Sequence, residues 1–380
     1  MTAKKILFTT FGNPITEIGG VERYLLTLMV NLKSVLDSEI KLFVAFPIFL
    51  GSDTKTEIDA QSLFVPVPIK IPAPKYKIFL PISKMIFNLL FAIYILKHQN
   101  DYDILHIHGD NGTFALRFFK HKKIFSLHGN SVVYYKTIKD RLNILKKVLL
   151  FLATSISGLI ERYGVTHSDT TLSDQEDVIK YFKKITRMDN FVYLPNFVDT
   201  TFFTTVDDRY AVKEELGLNP ERHYALWVGT SVLRKRLDVA VKSINKCRYT
   251  DLIVVGPKSY NGGRIINCGF IEDKEKLAKI YQACEVLLVT STHEGQSIAL
   301  LESIASGCVP IIRNYLAIPG FVNGYNCFLA DNDDSFAEIL NTIEKKPNSL
   351  GIMAKNARKL ACDSYSTEKG ISELRKFYGV

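Results

Sequence analysis

The chain has 380 residues, of which 47% are hydrophobic and 23% are charged, and its formal net charge at pH 7 is +9. The length exceeds what one hydrophobic core usually serves and the composition is ordinary for a globular protein, so two domains are expected. No apolar run reaches the roughly 18 to 20 residues that span a bilayer, which excludes a transmembrane helix. The first apolar run, at 4–9, is too short for a signal peptide and predicts a strand. We therefore expect a cytoplasmic protein.

All six cysteines lie in the second half of the chain, with no C-x-x-C spacing and no histidine at ligand spacing. They are Cys247, Cys268, Cys284, Cys308, Cys327 and Cys362. Cys284 and Cys308 fall in or beside apolar runs. The pattern predicts reduced structural thiols in a cytosolic protein, and neither zinc nor another metal is expected.

The positive charge is concentrated between residues 61 and 150, where 14 Lys and Arg face 4 Asp and Glu. Two stretches there, Lys70 to Lys97 and Arg141 to Leu152, combine lysines with large apolar residues. Basic amphipathic helices of this kind can lie on anionic lipid, and the alternative is a core helix with a lysine rim. The surplus of positive charge at 61–150 predicts an anionic partner. We expect this partner to be the cytoplasmic face of the membrane, contacted peripherally. Nucleic acid is not expected, because the basic zone lacks interleaved stacking aromatics.

Short apolar runs alternate with helix-like stretches along both halves of the chain. Strands are predicted at 6–10, 41–46, 104–106, 123–128 and 169–172, then at 224–228, 252–255, 286–289 and 309–312. Helices are predicted at 21–36, 83–97, 141–162 and 175–183, then at 237–245, 274–284, 298–306, 335–344, 349–362 and 366–378. This alternation predicts two parallel sheets with helices on both faces. A hinge at 195–199 places the domain boundary near residue 196.

Two short segments of the first half have the spacing of ligand-binding loops. Gly19 and Gly20 follow the first predicted strand and open a helix, so the backbone there can approach an anionic group closely. A simple turn is the alternative. Asp101-Tyr102-Asp103 has a D-x-D spacing, but its place just before a strand favours a turn over a metal site.

Three histidines fall on neighbouring strands of the first half. His128 lies at the carboxyl end of the strand at 123–128, the edge at which ligands bind parallel α/β sheets. An isolated histidine is more often structural, and this alternative stays open for His128. His106 and His108, on the preceding strand, are predicted to be core or rim residues.

A basic turn follows the first strand of the second half. Thr230 comes just after that strand, and Arg234, Lys235 and Arg236 directly precede the helix predicted at 237–245. The end of a parallel strand is the edge at which such sheets bind ligands, so these cations are candidate binding residues. The alternative is a solvated basic turn.

Glu294 and Glu302 bracket the start of the short helix predicted at 298–306. Ser297 is the predicted N-cap, and Gly307 is the predicted left-handed residue that ends the helix. The free amide groups of such a helix start favour an anion. Carboxylates can accept hydrogen bonds from sugar hydroxyls, so the segment predicts a nucleotide-sugar pocket facing an interdomain gap. The alternative is that both glutamates are solvated surface charges.

The sequence HEGQSIALLESIASGCVPII at 293–312 resembles the E-x7-E signature of glycosyltransferase family 4, whose members are retaining enzymes with the GT-B fold. The turn at 227–238 resembles the same family's G-R-x4-K-G-x-D segment, with two departures. Thr230 stands where the family usually has arginine, and Arg236 replaces its usual glycine. Arg234 or Arg236 would then supply the missing second cation, and the sequence does not choose between them.

The resemblance implies a role for each matching residue. Lys235 is expected to bind the donor diphosphate together with the amides near Ser297 and Ile298, while Glu302 holds the ribose and Glu294 the transferred sugar. His128 is expected to contact that sugar near the scissile bond. The other expected donor-binding residues are Gly19, Gly20, Thr230, Arg234, Arg236 and Gln296.

The resemblance therefore implies a GT-B enzyme with two doubly wound Rossmann-like domains facing across a cleft. The expected domains are 1–196 on the acceptor side, 197–365 for the nucleotide sugar, and a helix at 366–380 that crosses back to the first domain. The implied activity is retaining, metal-independent and cofactor-free transfer of a hexose from a UDP- or GDP-sugar. The acceptor would be a glycan or lipid-linked sugar in surface polysaccharide, glycolipid or glycoprotein synthesis. The alternatives are a retaining phosphorylase or disaccharide synthase on the same fold, and a non-catalytic sugar-nucleotide binder.

Overall fold

The computed structural model describes residues 3–14, 20–36, 38–50, 63–72, 80–230, 232–257, 260, 262–316, 318–346 and 349–380. The chain divides into two compact units. The first unit contains Met1–Pro195 and Ile371–Val380, and the second contains Asn196–Gly370. Each unit is built on one parallel sheet.

The sheet of the first unit has seven strands in the order β3-β2-β1-β4-β5-β6-β7. They are β1 (Lys4–Thr9), β2 (Ile40–Phe49), β3 (Val65–Ile71), β4 (Ile104–His108), β5 (Lys122–Leu127), β6 (Thr170–Ser173) and β7 (Phe191–Tyr193). All neighbours are parallel, with Ile6 opposite Leu42 on one side and Ile104 on the other. The strand order reverses between β1 and β4, and the carboxyl ends of these two strands form the edge where ligands bind such sheets.

Along the chain, α-helices lie between several of these strands, in keeping with their parallel pairing. They are α1 (Gly20–Leu36), α2 (Leu80–His98), α3 (Ser131–Ile138), α4 (Ile144–His167) and α5 (Glu176–Thr186). On one face of the sheet, Leu105 and Ile107 of β4 share a core with Phe87 and Phe91 of α2. On the other face, the alternate residue His106 contacts Tyr378 of the chain's last helix, α12 (Thr367–Tyr378).

The sheet of the second unit has six strands in the order β10-β9-β8-β11-β12-β13. They are β8 (His223–Val228), β9 (Thr250–Val255), β10 (Ile265–Gly269), β11 (Val286–Val289), β12 (Val309–Arg313) and β13 (Phe328–Ala330). The order reverses between β8 and β11, so the loops that follow Val228 and Val289 lie at the predicted ligand edge.

The helices of the second unit cover both faces of its sheet. They are α6 (Arg209–Glu215), α7 (Leu237–Asn245), α8 (Lys274–Ala283), α9 (Ile298–Ala305), α10 (Ser335–Lys345) and α11 (Leu350–Tyr365). Leu226 of β8 packs in one core with Leu300 and Tyr281, and the next residue, Trp227, packs in another with Phe336. The alternation of side chains along β8 thus separates the two cores. Cys284 and Cys308 are buried free thiols, as predicted.

The predicted strands and helices are all present, and the structure adds four strands and two helices to them. The added strands are β3, β7, β10 and β13, and the added helices are α3 and α6. The prediction was wrong at the ends of α4, which begins at Ile144 and continues to His167. Arg141, the predicted start, instead lies in a short 3-10 turn. Asn143 explains the later start, because its side chain accepts a hydrogen bond from the amide of Lys146 and caps the helix.

Candidate functional site

The loops after β8 and β11 are joined by hydrogen bonds. The hydroxyl of Thr290 donates to the carbonyl of Lys235 over 2.8 Å, and the amide of Thr292 donates to the carbonyl of Arg234 over 2.7 Å. The indole N–H of Trp227, a core residue, donates to the Thr290 hydroxyl over 3.0 Å. The basic turn is therefore fixed against the loop that leads to α9.

This attachment brings together three of the predicted site residues. A carboxylate oxygen of Glu294 lies 2.7 Å from Nζ of Lys235 and 2.9 Å from Nη1 of Arg234. The hydroxyl of Ser291 donates to the same oxygen over 2.9 Å. The Glu294 side chain is only 10% exposed. Two cations and one buried carboxylate leave a local charge of +1, which favours an anionic ligand.

The two cations also determine the ionisation of Glu294. Burial alone would raise the pKa of this carboxyl, but the charges of Lys235 and Arg234 outweigh it and hold the pKa below its usual value. Glu294 is thus an anion at neutral pH and accepts hydrogen bonds only.

Helix α9 begins directly after this cluster. Ser297 occupies the N-cap position without a capping bond from its side chain, so the hydroxyl does not cover the first amides of the helix. Gly307 has a φ of +87°, the left-handed conformation predicted for the residue that ends the helix. Residues Leu300 to Ala305 are buried, which fixes the direction in which the helix start points within its unit.

Gln296 has a buried side chain with no partner for its amide. The residue is 2% exposed, and within the described residues neither Oε1 nor Nε2 finds a hydrogen-bonding group. Its backbone carbonyl accepts a bond from the side chain of Asn196, which holds the loop. An unpaired buried polar group costs about 1–3 kcal/mol, so this amide has hydrogen-bonding capacity for a ligand or water.

Glu302 lies on the second turn of α9, as predicted, and it is not a solvated surface charge. The residue is 8% exposed, and one carboxylate oxygen accepts a bond of 2.8 Å from the hydroxyl of Tyr281 on α8. The side chain of Glu294 is 10% exposed. The alternative of two solvated glutamates is therefore wrong, because the helix between them is packed into the core.

The two departures from the family pattern, Arg236 and Thr230, differ in their surroundings. Arg236 has φ +53° and ψ +47°, the left-handed conformation in which glycine is favoured. Its guanidinium is buried and donates to Asp238 and Asp333. Of the two candidates for a second cation, the structure thus places Arg234 beside Glu294. Thr230 is exposed in the loop after β8.

In the first unit, His128 directly follows β5 and is half-buried. Its Nε2 lies 2.9 Å from Nδ1 of His108, and the planes of the two rings differ by 13°. Tyr24 of α1 meets the His128 ring edge-on, with ring centroids 5.0 Å apart. Burial lowers the pKa of His128 to about 4, so the ring is neutral at pH 7.

The other residues singled out in the first half of the chain lie in a helix start, a strand and a turn. Gly20 is the first residue of α1, and Gly19 lies outside the described residues. His106 and His108 are fully buried, as predicted. Asp101 closes a 3-10 turn and Asp103 accepts a bond from the amide of Lys5, which confirms a turn before a strand. The residues described contain no group of three His, Cys, Asp or Glu side chains able to hold a metal ion.

The sequence interpretation missed four residues that bond to the predicted site residues. They are Ser291, Tyr281, Asp333 and His108, which bond to Glu294, Glu302, Arg236 and His128 respectively. Only Ser291 had a usable signal, since it lies three residues before Glu294 in the same loop. The others come from different elements, so no local spacing indicates them.

The chain is similar to glycosyltransferases in sequence. Residues 208–360 match the family model described as "Glycosyl transferases group 1". The UDP-Gal:alpha-D-GlcNAc-diphosphoundecaprenol alpha-1,3-galactosyltransferase of Escherichia coli is 27% identical over 124 residues, which are 30% of this chain and 30% of that protein. The match thus spans under a third of this curated relative.

Solved structures resemble the chain over nearly its whole length. Sucrose-phosphate synthase from Thermosynechococcus elongatus has a TM-score of 0.82 at 16% identity, covering 99% of this chain and 98% of that one. HepE of Anabaena, solved with UDP-glucose, has a TM-score of 0.73 at 14% identity, covering 99% of both chains. These likenesses confirm the predicted GT-B fold of two Rossmann-like domains.

Proposed function

We propose that this protein is a retaining glycosyltransferase of family 4 that transfers a hexose from a UDP- or GDP-sugar to a glycan or lipid-linked acceptor. One observation carries the proposal: Glu294 is buried between Lys235 and Arg234 directly before the start of α9. The likeness to an E. coli enzyme that uses a UDP-sugar and a diphosphoundecaprenol acceptor agrees with it. Neither metal nor cofactor enters the proposed reaction.

The donor diphosphate would bind the two cations and the first amides of α9. Its oxygens compete with Glu294 for Lys235 and Arg234, which frees the Glu294 carboxylate to accept a hydrogen bond from a sugar hydroxyl. The carboxylate of Glu302, which accepts a hydrogen bond from Tyr281, would also accept one from a ribose hydroxyl. The unpaired amide of Gln296 would gain a partner in the same complex.

The proposed chemistry needs no side-chain nucleophile. The bond from the anomeric carbon to the diphosphate oxygen breaks, and a bond from the acceptor oxygen forms on the same face of the sugar. The acceptor proton passes to the leaving phosphate oxygen. Lys235 and Arg234 stabilise the charge that develops on the diphosphate, so positioning and leaving-group stabilisation supply most of the rate.

The test compares Lys235→Ala and Glu294→Ala with Lys246→Ala. The control removes a lysine–carboxylate pair of similar length, 2.6 Å to Asp334, from the exposed surface of the same unit. Donors are first identified by thermal shift with UDP-, GDP- and ADP-sugars, because a ligand that binds the folded state raises its melting temperature. Transfer is then measured with the stabilising donor.

We expect both site variants to lose transfer by about 10²–10³-fold or more, as removal of a charge-stabilising group usually does, while Lys246→Ala keeps it. A folded site variant that turns over like wild type would refute the assignment. Replacing the acceptor by free phosphate in the same assay separates a phosphorylase from a transferase. Donor binding without any transfer would support the non-catalytic binder.

We also propose that the first unit contacts an anionic membrane through the exposed face of α4. Eight large apolar side chains of this helix are between 47% and 82% exposed: Ile144, Leu145, Val148, Leu149, Phe151, Leu152, Ile156 and Leu159. At 3.6 residues per turn, they fall within about 160° of the helix circumference. We call this set the apolar face of α4. Among the described residues, no helix is long and apolar enough to cross a bilayer.

Charge around the apolar face of α4 favours an anionic surface. Residues 131–160 carry five Lys and Arg against one Asp. Lys146 and Lys147 project on opposite sides of the apolar face by the same helical geometry, so they would reach lipid headgroups beside the buried apolar chains. Helix α2 adds a second exposed stripe of Ile82, Met85, Leu89, Ile93 and Leu96, while its opposite side packs into the core.

The membrane contact is tested by sedimentation with phosphatidylglycerol-containing vesicles. We expect Leu145→Ser combined with Leu149→Ser to weaken binding at least about tenfold, since burying one such side chain contributes about 1.5–3 kcal/mol. Ile352→Ser is the control, because Ile352 is 75% exposed on α11 of the other unit. Unchanged binding of the α4 variant, or equal binding to neutral phosphatidylcholine vesicles, would contradict the proposal.

A further inference from the structure

The contact between His108 and His128 involves only one proton. Nδ1 of His108 and Nε2 of His128 are 2.9 Å apart, so one of these two nitrogens donates and the other accepts. Both rings are neutral at pH 7, because burial holds the pKa of each below its usual value. Each neutral ring carries a single proton, so the direction of the bond decides the tautomer of both histidines.

The other nitrogen of His108 indicates the direction. Nε2 of His108 is buried, and no group in the described ranges lies within bonding distance of it. If His128 donated, His108 would carry its proton on that Nε2 and bury an unpaired N–H. Orphaned N–H groups are rarer in proteins than acceptors with an unused lone pair. The proton therefore belongs on Nδ1 of His108, and His128 accepts it at Nε2.

The groups around the pair leave this arrangement undisturbed. His106 stacks on His108 at 4.3 Å, but its own nitrogens are engaged by Tyr378 and Ser126 at 2.9 Å and 2.7 Å. Tyr24 presents a ring edge to His128. Burial raises the pKa of Tyr24, so this neighbour is uncharged at neutral pH.

We propose that His108 is a positioning residue that holds His128 as the neutral Nδ1–H tautomer. His128 then offers a hydrogen-bond donor to the transferred sugar, and it acts neither as a base nor as a cation. The N–H of His108 bonds to His128, whose own N–H is then available to a ligand, and hydrogen bonds in such a chain strengthen one another. The sugar contact rests on the function proposed above, whereas the tautomer does not.

The first test is the tautomer itself, read from ¹⁵N shifts and long-range ¹H–¹⁵N couplings of histidine-labelled full-length protein without ligand. We expect a protonated Nδ1 and an unprotonated Nε2 on both His108 and His128 across pH 6–8. Protonation of His128 at Nε2, or a positively charged ring in that range, would overturn the proposal. This measurement requires neither a variant protein nor enzymatic activity.

The second test separates positioning from packing. His108→Asn places an amide donor near the position of Nδ1, whereas His108→Phe keeps a stacked ring without a donor. We expect the phenylalanine variant to mix the tautomers of His128 and to lower kcat about tenfold or more with a smaller change in KM, and the asparagine variant to restore both. An unchanged His128 tautomer in folded His108→Phe would overturn the positioning role. The predicted tautomer in a protein without transfer activity would instead refute only the enzyme assignment.

Discussion

Arg236 offers a test in which two opposing energies are separated by two substitutions. Its left-handed φ of +53° costs a residue with a Cβ about 1–2 kcal/mol, and glycine avoids that cost. Glycine also has more conformational freedom in the unfolded chain, and this reduces the stability advantage of glycine by about 0.5–1 kcal/mol. Arg236→Ala and Arg236→Gly both remove the guanidinium, and only alanine keeps the Cβ. We therefore expect the glycine variant to be more stable than the alanine variant by about 1 kcal/mol.

The comparison with wild type depends on the ion pairs. Arg236 lies 2.9 Å from Asp238 and 2.6 Å from Asp333, whose side chains are 39% and 47% exposed. Solvent therefore screens these pairs, and each contributes about 1 kcal/mol or less. Asp333 also keeps its contact with Arg313 in either variant. We expect Arg236→Gly to stay within about 1 kcal/mol of wild type and Arg236→Ala to lose about 1–2 kcal/mol.

The assay is urea unfolding followed by tryptophan fluorescence. Trp227 is the single tryptophan of the chain and is buried in the core of the second unit, so the signal reports on the unit that contains Arg236. If the Arg236→Ala and Arg236→Gly variants were equally stable, the strain argument would be refuted. A loss of more than about 3 kcal/mol in Arg236→Gly would show that the ion pairs dominate. Unchanged affinity for the stabilising donor in Arg236→Gly would agree with Arg234 as the second cation.

Two further predictions concern stability. Burial raises the pKa of the Glu161 carboxyl from 4.5 to about 7. Ionisation of this carboxyl therefore destabilises the folded state, with no effect below pH 4.5 and the full effect above pH 7. Relative to Glu161→Gln, the free energy of unfolding of wild type should fall by about 3 kcal/mol across that pH range. Urea melts followed by circular dichroism measure it, and a difference that does not change with pH would contradict the prediction. Gly256→Ala would put a Cβ 1.8 Å from the carbonyl oxygen of Gly229 at φ +131°, so we expect a loss above about 2 kcal/mol. In the same melts Gly351→Ala, which meets no atom within 4 Å, should lose nothing; equal losses would refute the clash.

The strands that the sequence interpretation missed share a position in the sheets. β3, β7, β10 and β13 are the four edge strands of the two sheets. An edge strand has one neighbour and is partly exposed, so it need not form a continuous apolar run. β3 even contains Pro66 and Pro68, which an edge strand tolerates because one side of it needs no ladder bonds. The central strands, enclosed on both faces, were all readable as apolar runs.

The best-predicted part of the molecule is the segment around α9. The predicted helix at 298–306 is observed as Ile298–Ala305, preceded by Ser297 and followed by the left-handed Gly307. Helix starts and ends depend on residues a few positions apart, so their chemistry is visible in sequence. The motif at 293–312 also marks Glu294 and Glu302 as candidate site residues, while Lys235 is marked by the separate segment at 227–238.

The sequence by itself determined the two parallel α/β domains, the order of their central elements and the residue types of the candidate site. Only the tertiary structure decided which of Arg234 and Arg236 lies beside Glu294, that Asp333 holds Arg236, and that His108 pairs with His128. The physical reason is the distance along the chain over which each interaction acts. Hydrophobic period and helix caps act over a few residues, whereas the partner of a buried charge or ring is chosen by the packing of elements that lie far apart in the chain.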